Sequence, residues 1–264
     1  MRVIVTAEEV RHQVAVAHGR GDRVGLVPTR GELHDGHAAI LRVAHAQCDL
    51  VLCTIVRPDG SPAFHERADE AVARDAGAHL LWRPMPGPLV PGARIQVVPV
   101  GRPELAPLAT AAAQQLGIVR PDVVYTGEEH FDHARLLRDV ARDLLLSVEV
   151  RMVDTPRAPD GLPVGLATRA LGDVSREAAS FVPRALDAIS DSVAAGERSL
   201  FRLRARAEAR LADAPAALSI EDVSTVDPDT FEPVDMFGDA PVLFVVRALV
   251  DGVSLVDSRI ITRA

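Results

Sequence analysis

The sequence predicts a doubly wound parallel α/β sheet over residues 1–174 and a smaller C-terminal α+β domain over residues 175–264. Three observations carry this. Strand-type and helix-type patterns alternate through the first part, which calls for parallel strands joined by helical crossovers. Leu50-Val51-Leu52-Cys53-Thr54-Ile55-Val56 is apolar almost without interruption, the pattern of a strand covered on both faces. Beyond Ser175 the pattern changes to two helical segments and then to β-branched runs that suit an antiparallel sheet.

The elements follow in order. Residues 2–5 are a short β-branched run, and residues 7–18 put Val10, Val14 and Val16 on or near one side of a helix. A strand over 24–27 ends at Pro28; a turn with Gly31 and Gly36 follows, and a helical pattern starts at His37 with Ile40, Leu41, Val43 and Ala44. The strand 50–56 runs into the turn Arg57-Pro58-Asp59-Gly60. Residues 66–76 read as helix, 79–82 as strand, 84–91 as a proline-rich loop and 95–100 as a further strand. An alanine-rich helix over 103–116 precedes a short strand, 123–125, and then Gly127. Residues 134–145 are strongly helical, and 148–153 close the sheet. Asp160-Gly161, set between Pro159 and Pro163, marks a loop leading to Ala167-Thr168-Arg169. The tail offers helices over 176–195 and 200–213 and strands over 219–226, 242–250 and 253–261.

A formal net charge of −8 argues against non-specific binding to nucleic acid. It leaves room for a small anion in a local arginine pocket. The chain has no lysine and no asparagine, so Schiff-base chemistry and lysine contacts to phosphate are excluded. Cys48 and Cys53 lie beside an apolar strand without a second pair to make a zinc site, and buried reduced thiols are expected. No stretch approaches the roughly 18 apolar residues of a membrane span, and the amino terminus lacks a charged region followed by a long apolar run. A cytoplasmic protein without membrane partners is expected.

The chemistry gathers in residues 24–37. Strand, glycine turn and helix in succession place backbone N–H groups and a positive helix end where they face outward, an arrangement that holds phosphate. His34 and His37 flank Gly36 and can add donors that follow charge onto a leaving pyrophosphate. The plainer reading makes them ordinary turn histidines. Arg57 stands at a strand's carboxyl end, where ligands bind in open α/β sheets, or is simply a solvent-facing cation.

Pro28-Thr29-Arg30-Gly31-Glu32-Leu33-His34-Asp35-Gly36-His37 resembles the signature of the pantothenate synthetase family within the nucleotidyltransferases that share a His-x-Gly-His motif. Further stretches agree in order: Ile55-Val56-Arg57-Pro58, residues 121–128, Asp160-Gly161-Leu162, residues 226–233 and Leu255-Val256-Asp257. The resemblance implies a Rossmann-like sheet, ATP with Mg, a small-molecule carboxylic acid and an amine as substrates, and a homodimer. It implies His34, His37 and Arg169 as catalytic residues. For the nucleotide it implies Pro28, Thr29, Gly36, His37, Gly127, Glu129, His130, Pro156, Thr168 and Arg169; for the acid, Arg30, Arg57, Gly60 and His133. Several positions depart from the family pattern: Arg57 replaces an asparagine, Gly60 a glutamine, Glu129 a lysine, His130 an aspartate and His133 a glutamine. His34, His37, His130 and His133 with Glu128, Glu129 and Asp132 would suit a divalent ion by residue type. The plainer reading makes His130 and His133 polar replacements, and it is the one adopted, with no metal site.

The function expected is an ATP-dependent ligase that adenylates a carboxylic acid other than pantoate and transfers it to an amine. Two alternatives stand beside it. Arg30 and Arg57 would favour a nucleotidylyltransferase acting on a phosphorylated acceptor, and Glu129 would favour a re-purposed scaffold that binds a small anion or a partner protein.

Overall fold

The computed structural model describes residues 1–59, 61, 65–87, 89–90 and 92–262. The chain divides into two compact units, Met1–Gly127 with Asp132–Asp154, and Glu128–Phe131 with Thr155–Ala264.

The first unit contains β1 (Arg2–Ile4), α1 (Ala7–Arg20), β2 (Val24–Thr29), α2 (Asp35–Gln47), β3 (Leu50–Ile55), α3 (Glu66–Asp75), β4 (Leu80–Trp82), α4 (Ala106–Val119), β5 (Val123–Gly127), α5 (Phe131–Asp143) and β6 (Glu149–Val153). Its sheet runs β1-β4-β3-β2-β5-β6 with every pairing parallel. Successive strands step one way from β2 and then the other way from β5. Between these two strands the order reverses, and the crevice beyond their carboxyl ends is where such sheets take ligands.

Alternation along the strands explains the double winding. Val27, Val51, Cys53, Ile55 and Tyr125 pack with Ile40, Leu41 and Ala44 of α2 and Ala73 of α3. Thr54 points to the other face, where its hydroxyl meets the Gln115 side chain of α4 at 2.6 Å. Helix α1 is bounded by two local signals. The Thr6 hydroxyl accepts from the Glu9 N–H at its start, and Gly21 ends it in the left-handed conformation at φ 80°.

The second unit contains α6 (Leu166–Arg169), α7 (Asp173–Ala179), α8 (Phe181–Ala194), α9 (Leu200–Ala212), β7 (Leu218–Val226), β8 (Val242–Val250) and β9 (Val253–Ile261). The three strands form an antiparallel sheet in chain order. Val182, Leu186, Ile189 and Leu203 pack against Phe244, Val246 and Val250.

Four expectations are corrected. Residues 95–100 form no strand: a β-branched run needs a sheet edge to pair with, and here the Val97 N–H instead reaches Thr110 Oγ1 on α4 at 3.0 Å. Ile95 and Val100 are exposed as a result. The helix expected from His37 starts at Asp35, because His34 caps it. The helix expected over 176–195 is two, broken at Ser180, since the Pro183 ring would meet the Ala179 carbonyl in a continuous helix. Finally, residues 155–174 group with the second unit rather than the first, and Leu162 is part of that unit's core.

Both cysteines are free and buried. Burial, then the charge of Asp69, push the Cys53 thiol up to about 12, against its side-chain contact with Thr29. Between pH 9 and about 12 an unfolded Cys53 would ionise while the folded one would not. Unfolding then releases a proton, so stability falls as pH rises, by roughly 1.4 kcal/mol per pH unit at most from this group. Chemical denaturation at pH 8, 9 and 10 checks the direction. At pH 8 the native chain is also expected to leave both thiols unmodified by an aromatic disulfide reagent that titrates them after unfolding. No helix among the described residues is long and apolar enough to cross a membrane.

Candidate active site

The signature stretch folds as a strand end, a strained turn and a capped helix. At the end of β2 the Thr29 hydroxyl donates to the Thr54 carbonyl at 2.7 Å and lies 3.3 Å from the Gly31 N–H. Gly31 at φ 91° and Glu32 at φ 56° then turn the chain through left-handed conformations. A Cβ on Gly31 would lie 3.2 Å from both Asp69 Oδ2 and Ile55 Cγ2, so only glycine fits there without displacement. The turn is held by Asp69 on α3, whose carboxylate accepts from the Leu33 N–H at 2.7 Å and the Glu32 N–H at 3.1 Å. Asp69 is 1% exposed. Sequence reading missed it, because nothing along the chain ties residue 69 to a turn nearly forty positions earlier.

His34 and His37 form a reciprocal capping box at the start of α2. His34 Nδ1 accepts from the Gly36 N–H at 3.2 Å, and His37 Nδ1 accepts from the His34 N–H at 3.3 Å. The rings lie 4.1 Å apart, centroid to centroid, and tilted by 50°. Both side chains are buried. Since each Nδ1 accepts, these bonds assign the ring proton to Nε2, which makes each imidazole a donor at that atom. The Gly36 N–H, expected to face outward, is instead taken by His34, and Gly36 is itself buried.

The other candidates of the first unit are placed as follows. Pro28 lies within β2 opposite Thr54, and Gly127 ends β5 opposite Val153. Arg30 is exposed, while its carbonyl accepts from Arg57 Nε at 3.1 Å. Arg57 follows β3 with its guanidinium 3.6 Å from Glu32 and 3.5 Å from the Ser61 hydroxyl. It therefore braces the turn that leads to the histidines. It also lines a cavity of about 280 Å³ with Val56, Ser61, Glu66, Arg83 and Met85, a wall to which the histidine pair does not belong. His133 is half-buried on α5, and Gly60 lies outside the described residues.

In the second unit, Glu129 is nearly buried and receives a hydrogen bond from the Thr155 hydroxyl. The exposed His130 ring lies 3.7 Å from it. Pro156, next to Thr155, accepts from the Val164 N–H at 2.8 Å. Thr168 on α6 is buried and donates to the Pro163 carbonyl at 2.7 Å, and Arg169 ends the helix exposed. Arg176 is a second residue that sequence reading missed. Its guanidinium bonds Asp160 at 2.7 Å and the Thr168 carbonyl at 2.9 Å, which fixes the short helix that carries Arg169. Among the described residues no group of three or more His, Cys, Asp or Glu side chains could hold a metal ion.

The comparisons agree with this architecture. The family model described as pantoate-beta-alanine ligase matches residues 2–260. A pantothenate synthetase of Sinorhizobium medicae is 32% identical over 99% of this chain and 96% of its own length. One of Rhizorhabdus wittichii is 31% identical over 98% of each. The crystal structure of pantothenate synthetase from Thermus thermophilus superposes with a TM-score of 0.81 at 25% identity, covering 98% of this chain and 99% of that one. A pantoate-beta-alanine ligase from Francisella tularensis, solved with beta-gamma ATP and beta-alanine, shares the fold with a TM-score of 0.68 at 16% identity over 98% and 97% of the two chains. ATP-dependent amide ligation is thereby the general activity of the group. A match that passes through both units and includes the histidine capping box places this chain in the pantoate-beta-alanine ligase family.

Proposed function

We propose that the chain activates a carboxylic acid with ATP and passes the acyl group to an amine. The supporting observation is the His34–His37 pair, each imidazole held through Nδ1 so that Nε2 donates, at the amino end of α2 beside the point where strand order reverses. A carboxylate oxygen attacks the α-phosphorus, the bond to the β-phosphate oxygen breaks, and pyrophosphate leaves. Donors at Nε2, carried at the positive end of the α2 dipole, meet the charge that builds on it. The amine then attacks the acyl carbon, AMP departs and the amine proton passes to solvent. In this reading Pro28, Thr29, Gly36, Gly127, Glu129, His130, Pro156, Thr168 and Arg169 serve the nucleotide, with Arg169 supplying a cation and Mg entering with the phosphates. Arg30, Arg57, Gly60 and His133 serve the acid.

The names of the relatives favour pantoate as the acid, and beta-alanine, bound in the Francisella tularensis structure, as the amine. Arg57 favours a second reading, a different acid, because a guanidinium replaces the asparagine of the family pattern and could pair bidentately with an additional carboxylate. Acid-dependent exchange of labelled pyrophosphate into ATP tests both. Exchange with pantoate supports the first, and exchange confined to another acid supports the second. No exchange with any acid, and no ATP binding by calorimetry, would overturn adenylation. A homodimer in the cytoplasm is part of the same proposal, and sedimentation of the purified chain tests the assembly.

A further inference from the structure

Glu128–Phe131 belongs to the second unit although the residues on either side of it belong to the first. The contacts that hold it there are buried and polar. Asp257 on β9 is fully buried and receives both arms of the Arg157 guanidinium, at 2.7 and 2.9 Å. Arg157 Nη1 also donates to the Gly161 carbonyl at 3.1 Å, and Nη2 lies 3.9 Å from Glu128 Oε2. The next residue on β9, Ser258, is likewise buried and donates through its hydroxyl to the Glu128 carbonyl at 2.9 Å. Thr155, two residues before Arg157, holds the Glu129 side chain. Phe131 closes the segment edge-to-face on Phe231 at 5.4 Å, with the Arg247 guanidinium 5.4 Å from its ring.

Burial raises the Asp257 carboxyl above its ordinary value, against the hydrogen bonds and charge of Arg157. Burial also opposes the charge on Arg157, yet Asp257 and Glu128 keep it above its ordinary value. A buried ion pair adds little stability over apolar packing of the same volume, but it fixes direction and register. Here every bond fixes either Glu128, Glu129 or the hairpin beside them.

We propose that Arg157, Asp257 and Ser258 are positioning residues that anchor Glu128–Phe131 so that Glu129 and His130 present one geometry to the nucleotide. This rests on the ligase reading above for the identity of the ligand, but not for the anchor itself. The three act through the segment and touch no substrate.

The test uses the full chain and two readouts. In acid-dependent pyrophosphate exchange, Asp257→Asn is expected to raise KM for ATP about tenfold while KM for the acid stays within about twofold. Ser258→Ala is expected to raise KM for ATP about threefold, and Ser258→Thr, which keeps the hydroxyl, to restore it. Amide hydrogen exchange without substrates is the second readout. Residues 127–131 are expected to exchange about tenfold faster in Asp257→Asn, with β7 and β8 unchanged. Equal shifts in KM for ATP and acid, or unchanged exchange at 127–131, would overturn the proposal. Should Asp257→Asn fail to fold, Ser258→Ala carries both readouts. A wild-type chain inert with every acid would sink the ligase reading, while hydrogen exchange would still decide the anchor.

Discussion

His37→Ala is expected to lower kcat for adenylation about 100- to 1000-fold, the cost of losing one positioned donor to a developing negative charge. The same substitution removes the acceptor for the His34 N–H, and the lost half of the capping box costs about 1 kcal/mol of stability. The two effects can be separated. Glutamine is a natural partner at that position of a capping box, since its side-chain oxygen can accept the His34 N–H. His37→Gln is therefore expected to recover the melting temperature of the parent and to remain as slow as His37→Ala. Full turnover in both variants would show that the imidazole serves the helix alone. His34→Ser gives the reciprocal control, because serine is an ordinary helix cap.

Asp69→Ala should bring the largest loss of stability. It would leave the Glu32 and Leu33 N–H groups, now 3.1 and 2.7 Å from a buried carboxylate, without that acceptor. Hydrogen bonds to a charged group are worth about 1.5–3 kcal/mol each, so a loss of about 3 kcal/mol is reasonable, or roughly 6–12 °C in Tm. Activity should fall with it. Gly31 and Glu32 sit at positive φ, and this strained turn sets the angle at which the chain enters the histidine cap. Asp69→Asn keeps one oxygen acceptor and should fall between the two. Thermal unfolding and the exchange assay read these outcomes. A melting temperature within about one degree of the parent in Asp69→Ala would refute the role of the carboxylate as the turn's anchor.

Much of this arrangement was legible along the chain. The periods of β2, β3 and β5 and the alanine-rich α4 are local patterns, and they gave the parallel sheet directly. The His34-Asp35-Gly36-His37 stretch declared a strand, turn and helix with donors at its bend. Arg57 was legible as a cation at a strand end, though not as a brace against Glu32. What escaped was non-local: Asp69 reaching the turn at 32–33, Arg176 holding α6, and Asp257 with Ser258 holding Glu128. Each is a polar residue in a helix or strand of ordinary appearance. For Asp69 and Ser258 the partner lies far away in sequence and only burial turns the pair into a constraint, whereas Arg176 reaches Thr168 and Asp160 across a loop and a turn that no local period marks.

The sequence by itself determined most of the order of elements, the family, and the pair of histidines, because hydrophobic period and turn chemistry act over a few residues. Tertiary structure decided the rest. It denied a strand to 95–100, where the Val97 N–H bonds Thr110 on α4 and not a neighbouring strand, and it turned the imidazoles' Nδ1 atoms inward by giving them backbone N–H groups to accept. It also assigned Glu128–Phe131 to the second unit. These outcomes depend on which groups meet after the chain has folded, where an unpaired buried polar atom is costly and a satisfied one fixes a single geometry.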